Sequence, residues 1–304
     1  MSARRLVALA LAVAGLLLGP AAAGTAATPA QRAVAYLERA QNGDGGYGFE
    51  PRSQTTPIAT HWVAIGLRAA GRDPADVRQL GGDTLAEAVA RAAKAELDDA
   101  SVTARAILAL RATGGASTLV PRLLELQLPD GSFDGRVTTT AFAIFALRSA
   151  GRPPGDAAVR RATGWLAGQQ NDDGGFSAAG RGGASGVDDT AAAVQGLLRG
   201  GRGRGSAPVR RALRWLVARQ RADGGFPLLP GQASNAQSTA WAIQALAAAG
   251  RDPRRLRRRG GRDPIAFLRT LQARDGSFRY SRSSAQTPVW VTAQALMGLA
   301  RRPF

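Results

Sequence analysis

Residues 165–176 read Trp-Leu-Ala-Gly-Gln-Gln-Asn-Asp-Asp-Gly-Gly-Phe, and the same pattern recurs along the chain. Its constant part is a Gln, an Asp-Gly pair that starts three residues later, and a Phe or Tyr six residues after the Gln. The five copies place this Gln at Gln41, Gln127, Gln170, Gln220 and Gln272. Such constant spacing indicates a structural repeat. The Asp-Gly pair is typical of a turn, because Asp accepts backbone hydrogen bonds and Gly permits a positive φ.

A second motif alternates with the first and reads Thr-x2-small-x2-Ala/Gly-Leu. A Gly follows eleven residues after the Thr in five of its six copies. A Thr near the start, apolar residues at helical spacing and a Gly beyond the end predict one short helix per copy. The six Thr residues are Thr60, Thr103, Thr140, Thr190, Thr239 and Thr292.

Together the two motifs predict an all-α fold of six helix pairs. Each unit is a helix that ends near the Gln, a turn, and a second helix that opens near the Thr. Residues 85–97 supply the first helix of the second unit, which lacks the Gln and the Asp-Gly turn. Each pair needs neighbours to bury its apolar face. The spacing is compatible with either an open solenoid or a closed ring.

Composition excludes several kinds of site. The 304 residues include no cysteine and one histidine, His61, so disulfides, zinc–thiolate centres and cysteine nucleophiles are excluded. We predict no metal and no cofactor. The formal net charge is +18, and its densest cluster is Arg251–Arg262, with seven arginines. This cluster is a solvated loop or a contact for anionic cell-wall polymers or a membrane surface; nothing aromatic is interleaved with it, which disfavours nucleic acid.

The first 27 residues have the layout of a secretory signal peptide. Arg4 and Arg5 precede an apolar stretch, residues 6–18, which Gly19 and Pro20 end before a run of small residues. We therefore predict a secreted, extracytoplasmic protein whose mature part, residues 28–304, is a single domain without a transmembrane segment.

The variable positions of the second helix predict a ligand site. Counted from each Thr, positions −2, +2 and +5 differ most between copies and share one helix face. In a closed ring this face points into the lumen. Its aromatic residues, amides and single guanidinium are typical of a small-molecule pocket, although they could also simply fill the ring. The candidate ligand-binding residues are Trp62, Arg105, Phe142, Phe145, Gln195, Gln237, Trp241, Gln244, Trp290 and Gln294.

The Gln…Asp-Gly-Gly-Phe copies resemble the QW-type repeats of the terpenoid cyclase and protein prenyltransferase superfamily, over nearly the whole mature chain. The resemblance implies a closed α6/α6 toroid, with first helices outside and second helices inside. Prenyltransferases of this superfamily bind zinc through Asp, Cys and His, which this sequence does not supply. Related rings in cobalamin carriers bind a corrin.

The class II terpene cyclases within this superfamily protonate an isoprenoid through the middle carboxyl of Asp-x-Asp-Asp. Here residues 186–191 read Gly-Val-Asp-Asp-Thr-Ala, so the resemblance implies Asp188 as the acid and Asp189 as its neighbour. Gly186 replaces the first Asp, and these cyclases are about twice as long, with a cavity between two domains. Helix capping is the simpler role for both carboxylates.

Three functions follow from these observations. We expect a non-catalytic binding protein for a bulky apolar or amphipathic ligand, isoprenoid-like or cobalamin-like. The alternative is a terpene-cyclase-like enzyme that protonates an isoprenoid through Asp188. A protein-interaction scaffold is the third.

We predict that the exported protein begins at Gly24 or Thr28, because the preceding alanines, Ala23 and Ala27, suit a signal peptidase. The intact mass of protein from the culture medium of its host measures this directly. A product that retains Met1 and remains with the membrane contradicts the prediction.

Overall fold

The computed structural model of the chain describes residues 26–111 and 115–304, so most of the predicted signal peptide lies outside the described residues. The described residues form twelve α-helices. These are α1 (Pro29–Arg39), α2 (Pro57–Ala69), α3 (Leu85–Ala95), α4 (Ala100–Leu110), α5 (Ala116–Glu125), α6 (Val137–Ser149), α7 (Ala157–Gly168), α8 (Val187–Arg199), α9 (Ala207–Ala218), α10 (Ala236–Ala248), α11 (Pro264–Thr270) and α12 (Pro288–Ala300).

The even-numbered helices form a closed inner ring. Each packs on the next, and α12 packs on α2, so the last inner helix meets the first. The odd-numbered helices lie outside and pack against inner helices. The predicted all-α toroid is therefore confirmed, and the open solenoid is excluded.

The remaining regular structure is short. Strands β1 (Phe226–Pro227) and β2 (Ser234–Asn235) form an antiparallel hairpin in the loop before α10. Two 3-10 turns, Pro74–Asp76 and Pro253–Arg255, lie in connections between units. Among the described helices, none is long and apolar enough to cross a membrane.

The repeated Gln joins neighbouring units. Gln170 Nε2 donates to the carbonyl of Gly174 in its own turn, at 3.0 Å, and to that of Pro208 at the start of the next outer helix, at 2.8 Å. Gln272 does the same across the closure of the ring, with a 2.8 Å bond to the carbonyl of Pro29. Gln41, Gln127 and Gln220 make the equivalent pairs of bonds.

The repeated Thr joins the two motifs within a unit. The helices open near these threonines as predicted, but the threonines lie inside the helices and do not cap them. Thr190 Oγ1 accepts the backbone N–H of Phe176 at 2.9 Å, and the other units that contain the Asp-Gly turn repeat this bond. The second unit lacks that turn, and the buried hydroxyl of Thr103 has no hydrogen-bond partner among the described residues.

The second unit is held by a different contact. Arg122, on α5, donates from Nε to the carbonyl of Leu97 at 3.2 Å and from Nη2 to the carboxylate of Asp98. The guanidinium therefore ties α5 to the connection between α3 and α4, where no Gln is present.

A glycine permits the closest contact of the ring seam. A Cβ atom on Gly66 of α2 would lie 2.6 Å from the carbonyl oxygen of Ala293 on α12. Any side chain at Gly66 would force the first and last inner helices apart, so this copy of the motif needs Gly where other copies carry Ala.

Substitution of Gln170 by Ala should lower the free energy of unfolding by about 2–3 kcal/mol, because it removes the donor from the buried carbonyl of Gly174 and from the partly buried carbonyl of Pro208. Urea unfolding measures this change. Gln286→Ala is the control, because Gln286 is exposed, and its effect should be within about 0.5 kcal/mol. Equal losses for the two variants would show that the Gln bonds do not hold the units together.

Candidate functional site

Three aromatic side chains meet at the axis of the ring. Trp62, Phe142 and Trp241 occupy position +2 of α2, α6 and α10, which are alternate inner helices. Their ring centroids lie 5.5–5.9 Å apart and the rings pack edge to face. Such contacts stabilise aromatic clusters beyond their buried area. We call these three side chains the aromatic floor, because they block the lumen part of the way along its axis.

The C-terminal tail enters the lumen on one side of the floor. Phe304 stacks on Phe145 with centroids 4.8 Å apart and touches Phe142 at 5.2 Å. The Gln244 amide donates to the carbonyl of Arg302 at 3.3 Å, and Gln195 Oε1 accepts the backbone N–H of Phe304 at 3.4 Å. Nothing in the sequence motifs points to this tail, because it lies outside the repeats.

On the other side of the floor, at the N-terminal ends of the inner helices, the ring encloses an open cavity of about 570 Å³, here called the cup. Its walls come from positions −2 and +2 of the inner helices. Its rim comes from the loop before α8 and from the β1–β2 hairpin, including Leu228 and Leu229, which the sequence analysis missed. The wall residues are Ile58, Trp62, Ser101, Arg105, Thr138, Phe142, Asp188, Asp189, Trp241, Trp290 and Gln294.

The structure thus gathers some of the candidate residues and separates others. Six of the ten candidate ligand-binding residues line the cup, together with both aspartates. Phe145, Gln195 and Gln244, at position +5, lie beyond the floor because they are almost one helical turn further along the inner helices. Gln237 is half-buried but is not part of the cup wall.

Asp188 is the most perturbed acid of the cup. The residue is partly buried, and its Oδ1 is shielded from solvent without a hydrogen-bond partner among the described residues. Burial raises the pKa of Asp188 to about 7, and the charge of Asp189 adds to this, whereas a hydrogen bond from the Ser238 hydroxyl opposes it. At neutral pH and below, a large share of Asp188 is therefore an uncharged acid.

Asp189 lies beside it, and burial raises the pKa of this carboxyl to about 6, against a hydrogen bond from the Ala178 backbone. The N-cap of α8 is Gly186, and no side chain caps the helix. A Cβ atom on Gly186 would lie 3.0 Å from Asp189 Oδ2, so a carboxylate at this position would press against Asp189. The capping role expected for the two aspartates is therefore not what the structure shows.

Arg105 supplies a positive charge to the cup wall. It lies on α4, separated from α8 by α6, and forms no ion pair with Asp188. Burial lowers the pKa of Arg105 to about 10, partly offset by Asp99 and Glu96, so the guanidinium remains charged at neutral pH. The cup therefore combines aromatic faces, a neutral acid and a separate cation.

His61 and the arginine cluster lie apart from the cup. His61 is fully buried, and burial together with the charge of Arg105 lowers its pKa to about 3, so the imidazole is neutral. In the cluster at residues 251–262, Arg258 donates to the carbonyls of Ala218 and Gln220, and Arg257 pairs with Asp263 at 3.4 Å. Part of the cluster is therefore structural, and the remainder is exposed.

Comparison with known proteins adds a family and several related folds. The model of the squalene-hopene cyclase C-terminal domain matches residues 115–227 and 176–288. The type II terpene cyclase MstE from Scytonema has a TM-score of 0.61 at 15% identity, with 90% of this chain and 96% of that chain covered. A protein from Actinoplanes scores 0.59 at 18% identity, with coverage of 90% and 98%. A glycosidase variant scores 0.64 at 13% identity, with coverage of 90% and 97%. A search of curated protein sequences found no significant match.

These comparisons correct one expectation. From the resemblance, class II terpene cyclases are expected to be about twice as long as this chain, with their cavity between two domains. The cyclase chain above is covered to 96% by this one. A type II terpene cyclase of this length therefore exists, and length is no argument against catalysis.

Substitution of Asp188 by Asn should make the protein relatively more stable as the pH rises. The pKa of Asp188 rises from 3.8 to about 7 on folding, so the native state holds this proton more tightly, and its contribution to stability is lost between about pH 4 and pH 7. The variant should gain about 2 kcal/mol or more relative to the native sequence between pH 5 and pH 8. Urea unfolding at both pH values measures the difference. Asp172→Asn, at an exposed carboxylate, should shift stability equally at both; a pH-independent offset for Asp188→Asn would contradict the burial of this acid.

Proposed function

This chain belongs to the squalene-hopene cyclase C-terminal domain family, and we propose that its ring binds a bulky, largely apolar small molecule of isoprenoid type in the cup. One observation carries the proposal: the aromatic floor and the wall of the N-terminal mouth enclose a cavity of about 570 Å³. Pockets for small molecules have about this volume, apolar walls and a few polar groups.

The aromatic floor is suited to such a ligand because the packing of its three side chains fixes their conformation before a ligand binds. Trp62 and Trp241 are each supported by Phe142, and all three are at most 5% exposed. Rigid aromatic faces lose little conformational entropy when a ligand covers them. A solved variant of MstE in complex with geranylgeranyl dihydroxybenzoate supports the ligand class, because its fold is similar to that of this chain.

Catalysis is the second candidate, and a specific observation favours it. Asp188 combines a pKa of about 7 with a place on the cup wall, so it can hold a proton beside an alkene. The carboxyl proton would add to a terminal alkene carbon, with the π electrons forming the new C–H bond. The carbocation formed would be stabilised by the aromatic faces. Loss of a proton from a neighbouring carbon would restore the acid.

Binding remains the first proposal because it requires fewer features of the cup. An alkene is a weak base, and its protonation demands an acid stronger than a carboxyl of raised pKa. Among the described contacts of Asp188, the Ser238 hydroxyl stabilises the carboxylate form, and no charged donor strengthens the acid. Gly186 also leaves out the first carboxyl of the motif.

The setting in which the cup works is also a proposal. Export through the signal peptide would place the ring outside the cytoplasm, where the exposed arginines among residues 251–262 could contact anionic envelope polymers or lipid headgroups. Such contact would weaken as salt screens the charges.

Thr138→Trp should weaken isoprenoid binding, because Thr138 is on the cup wall and an indole there would occupy the ligand volume. Titration of the mature protein with farnesol, followed by calorimetry, should show at least about a tenfold weaker affinity for this variant. Thr118→Trp, on the exposed outer helix α5, is the matched control and should bind normally. Equal affinities for both variants would contradict binding in the cup.

Asp188→Asn separates the two candidate functions in the same assay. If the protein is a carrier, the native protein and this variant both bind farnesol, and neither converts it. An enzyme converts isoprenoids that gas chromatography detects, and Asp188→Asn abolishes the conversion without loss of binding. Conversion that survives in Asp188→Asn would exclude Asp188 as the acid.

A further inference from the structure

At position +2, one inner helix places a cation in the cup. Where α2, α6 and α10 place the aromatic floor, α4 places Arg105. Its side chain is on the cup wall beside Trp62 and Phe142, and the residue is only 8% exposed. A guanidinium is rarely buried to this extent without a partner.

Most of the hydrogen-bonding capacity of Arg105 is unused. Nη1 donates to Ser101 Oγ at 2.5 Å, one turn earlier on the same helix. Nε is buried and has no partner among the described residues. In the part of the chain that the structure describes, the fork of N–H groups thus meets one neutral acceptor, whereas a guanidinium can donate five hydrogen bonds.

The surroundings of Arg105 do not neutralise its charge. From its own side, Asp99 and Glu96 raise the pKa of Arg105 but form no ion pair with it in the described part of the chain. From α2, it faces the neutral imidazole of His61 and the indole of Trp62. A buried cation without an anion destabilises the protein, so an anionic partner that enters the cup is favoured.

We propose that the ligand of the cup carries a carboxylate that pairs with Arg105, while its apolar body lies on the aromatic floor. This rests on the proposed function of the cup and specifies its ligand class as an amphipathic acid. The planar fork of a guanidinium matches a carboxylate with two parallel hydrogen bonds.

The charges of the cup favour a ligand headgroup with one negative charge over a headgroup with several. Arg105 is its single cation, and the chain's one lysine, Lys94, is not on the wall. Among the described residues, no cluster of three or more acidic, His or Cys side chains could hold a metal ion that would neutralise a diphosphate. The carboxyls of Asp188 and Asp189 are on the same wall, and they add no positive charge that could balance a second negative charge of the headgroup.

Three matched probes test the headgroup: farnesoic acid, farnesol and farnesyl diphosphate. Calorimetry at pH 6 keeps the acid probe ionised. The native protein should bind farnesoic acid at least about 30-fold more tightly than farnesol, and Arg105→Gln should abolish this difference. Arg214→Gln removes one charge from an exposed position of outer helix α9 and should retain the full preference.

The outcomes separate this proposal from the function on which it rests. Equal affinity of the native protein for acid and alcohol would overturn the carboxylate but leave binding in the cup intact. Tighter binding of the diphosphate than of the acid would overturn the preference for a single charge. If no isoprenoid binds, the proposed function fails. Sodium benzoate then tests separately whether Arg105 binds a carboxylate. Benzoate that raises the unfolding temperature of the native protein but not of Arg105→Gln supports pairing, and equal shifts contradict it.

A stability measurement without ligand provides a second check. Because Arg105 is an unpaired buried cation, Arg105→Gln should unfold at the same or a higher temperature than the native protein. A large loss of stability would show that Arg105 holds the fold together and is not kept for an anion.

Discussion

The two hydrogen bonds donated by each repeated Gln amide are the contacts on which the ring depends. One bond holds the Asp-Gly turn and the other reaches the chain of the next unit, so turn and neighbour are positioned together. Gln272 makes the second bond to Pro29, which joins the last unit to the first. Small residues let neighbouring inner helices pack closely. The Gln hydrogen bonds set the spacing between units, and this spacing allows the six inner helices to close into a ring without a gap.

Closure has a direct consequence for the interior. Six parallel inner helices bring position +2 of each to one level, where three aromatic side chains are large enough to meet across the axis. The other three inner helices carry a small or a polar residue at this level: Arg105, Ala192 and Gln294. The small Ala192 lies one turn below Asp188, so room remains near the acid. The aromatic floor thus separates the cup from the half of the lumen that the C-terminal tail enters.

The sequence predicts the fold well because the repeat carries it. The spacing of Gln170 and Phe176, seen five times, depends on local hydrogen bonds that any copy must make. The lumen face also follows from helix periodicity. The aromatic floor does not follow from it, because the floor depends on distances between side chains of three different helices, and the periodicity of one helix contains no information about them. Phe304 and Leu229 lie outside the repeated motifs, so no comparison between copies could reveal their places in the lumen or at its rim.

The charges of the cup follow from the same geometry. α6 separates Arg105 from Asp188, so the cation and the acid do not neutralise one another, and burial keeps a large share of the acid uncharged. The cup therefore presents one free cation above an aromatic surface. A crystal structure of the mature protein with farnesoic acid is the most direct test of this arrangement. We expect the chain of the ligand to lie against Trp62, Phe142 and Trp241, with its carboxylate on Arg105. A ligand beside Phe304, or on the outer surface of the ring, would contradict it.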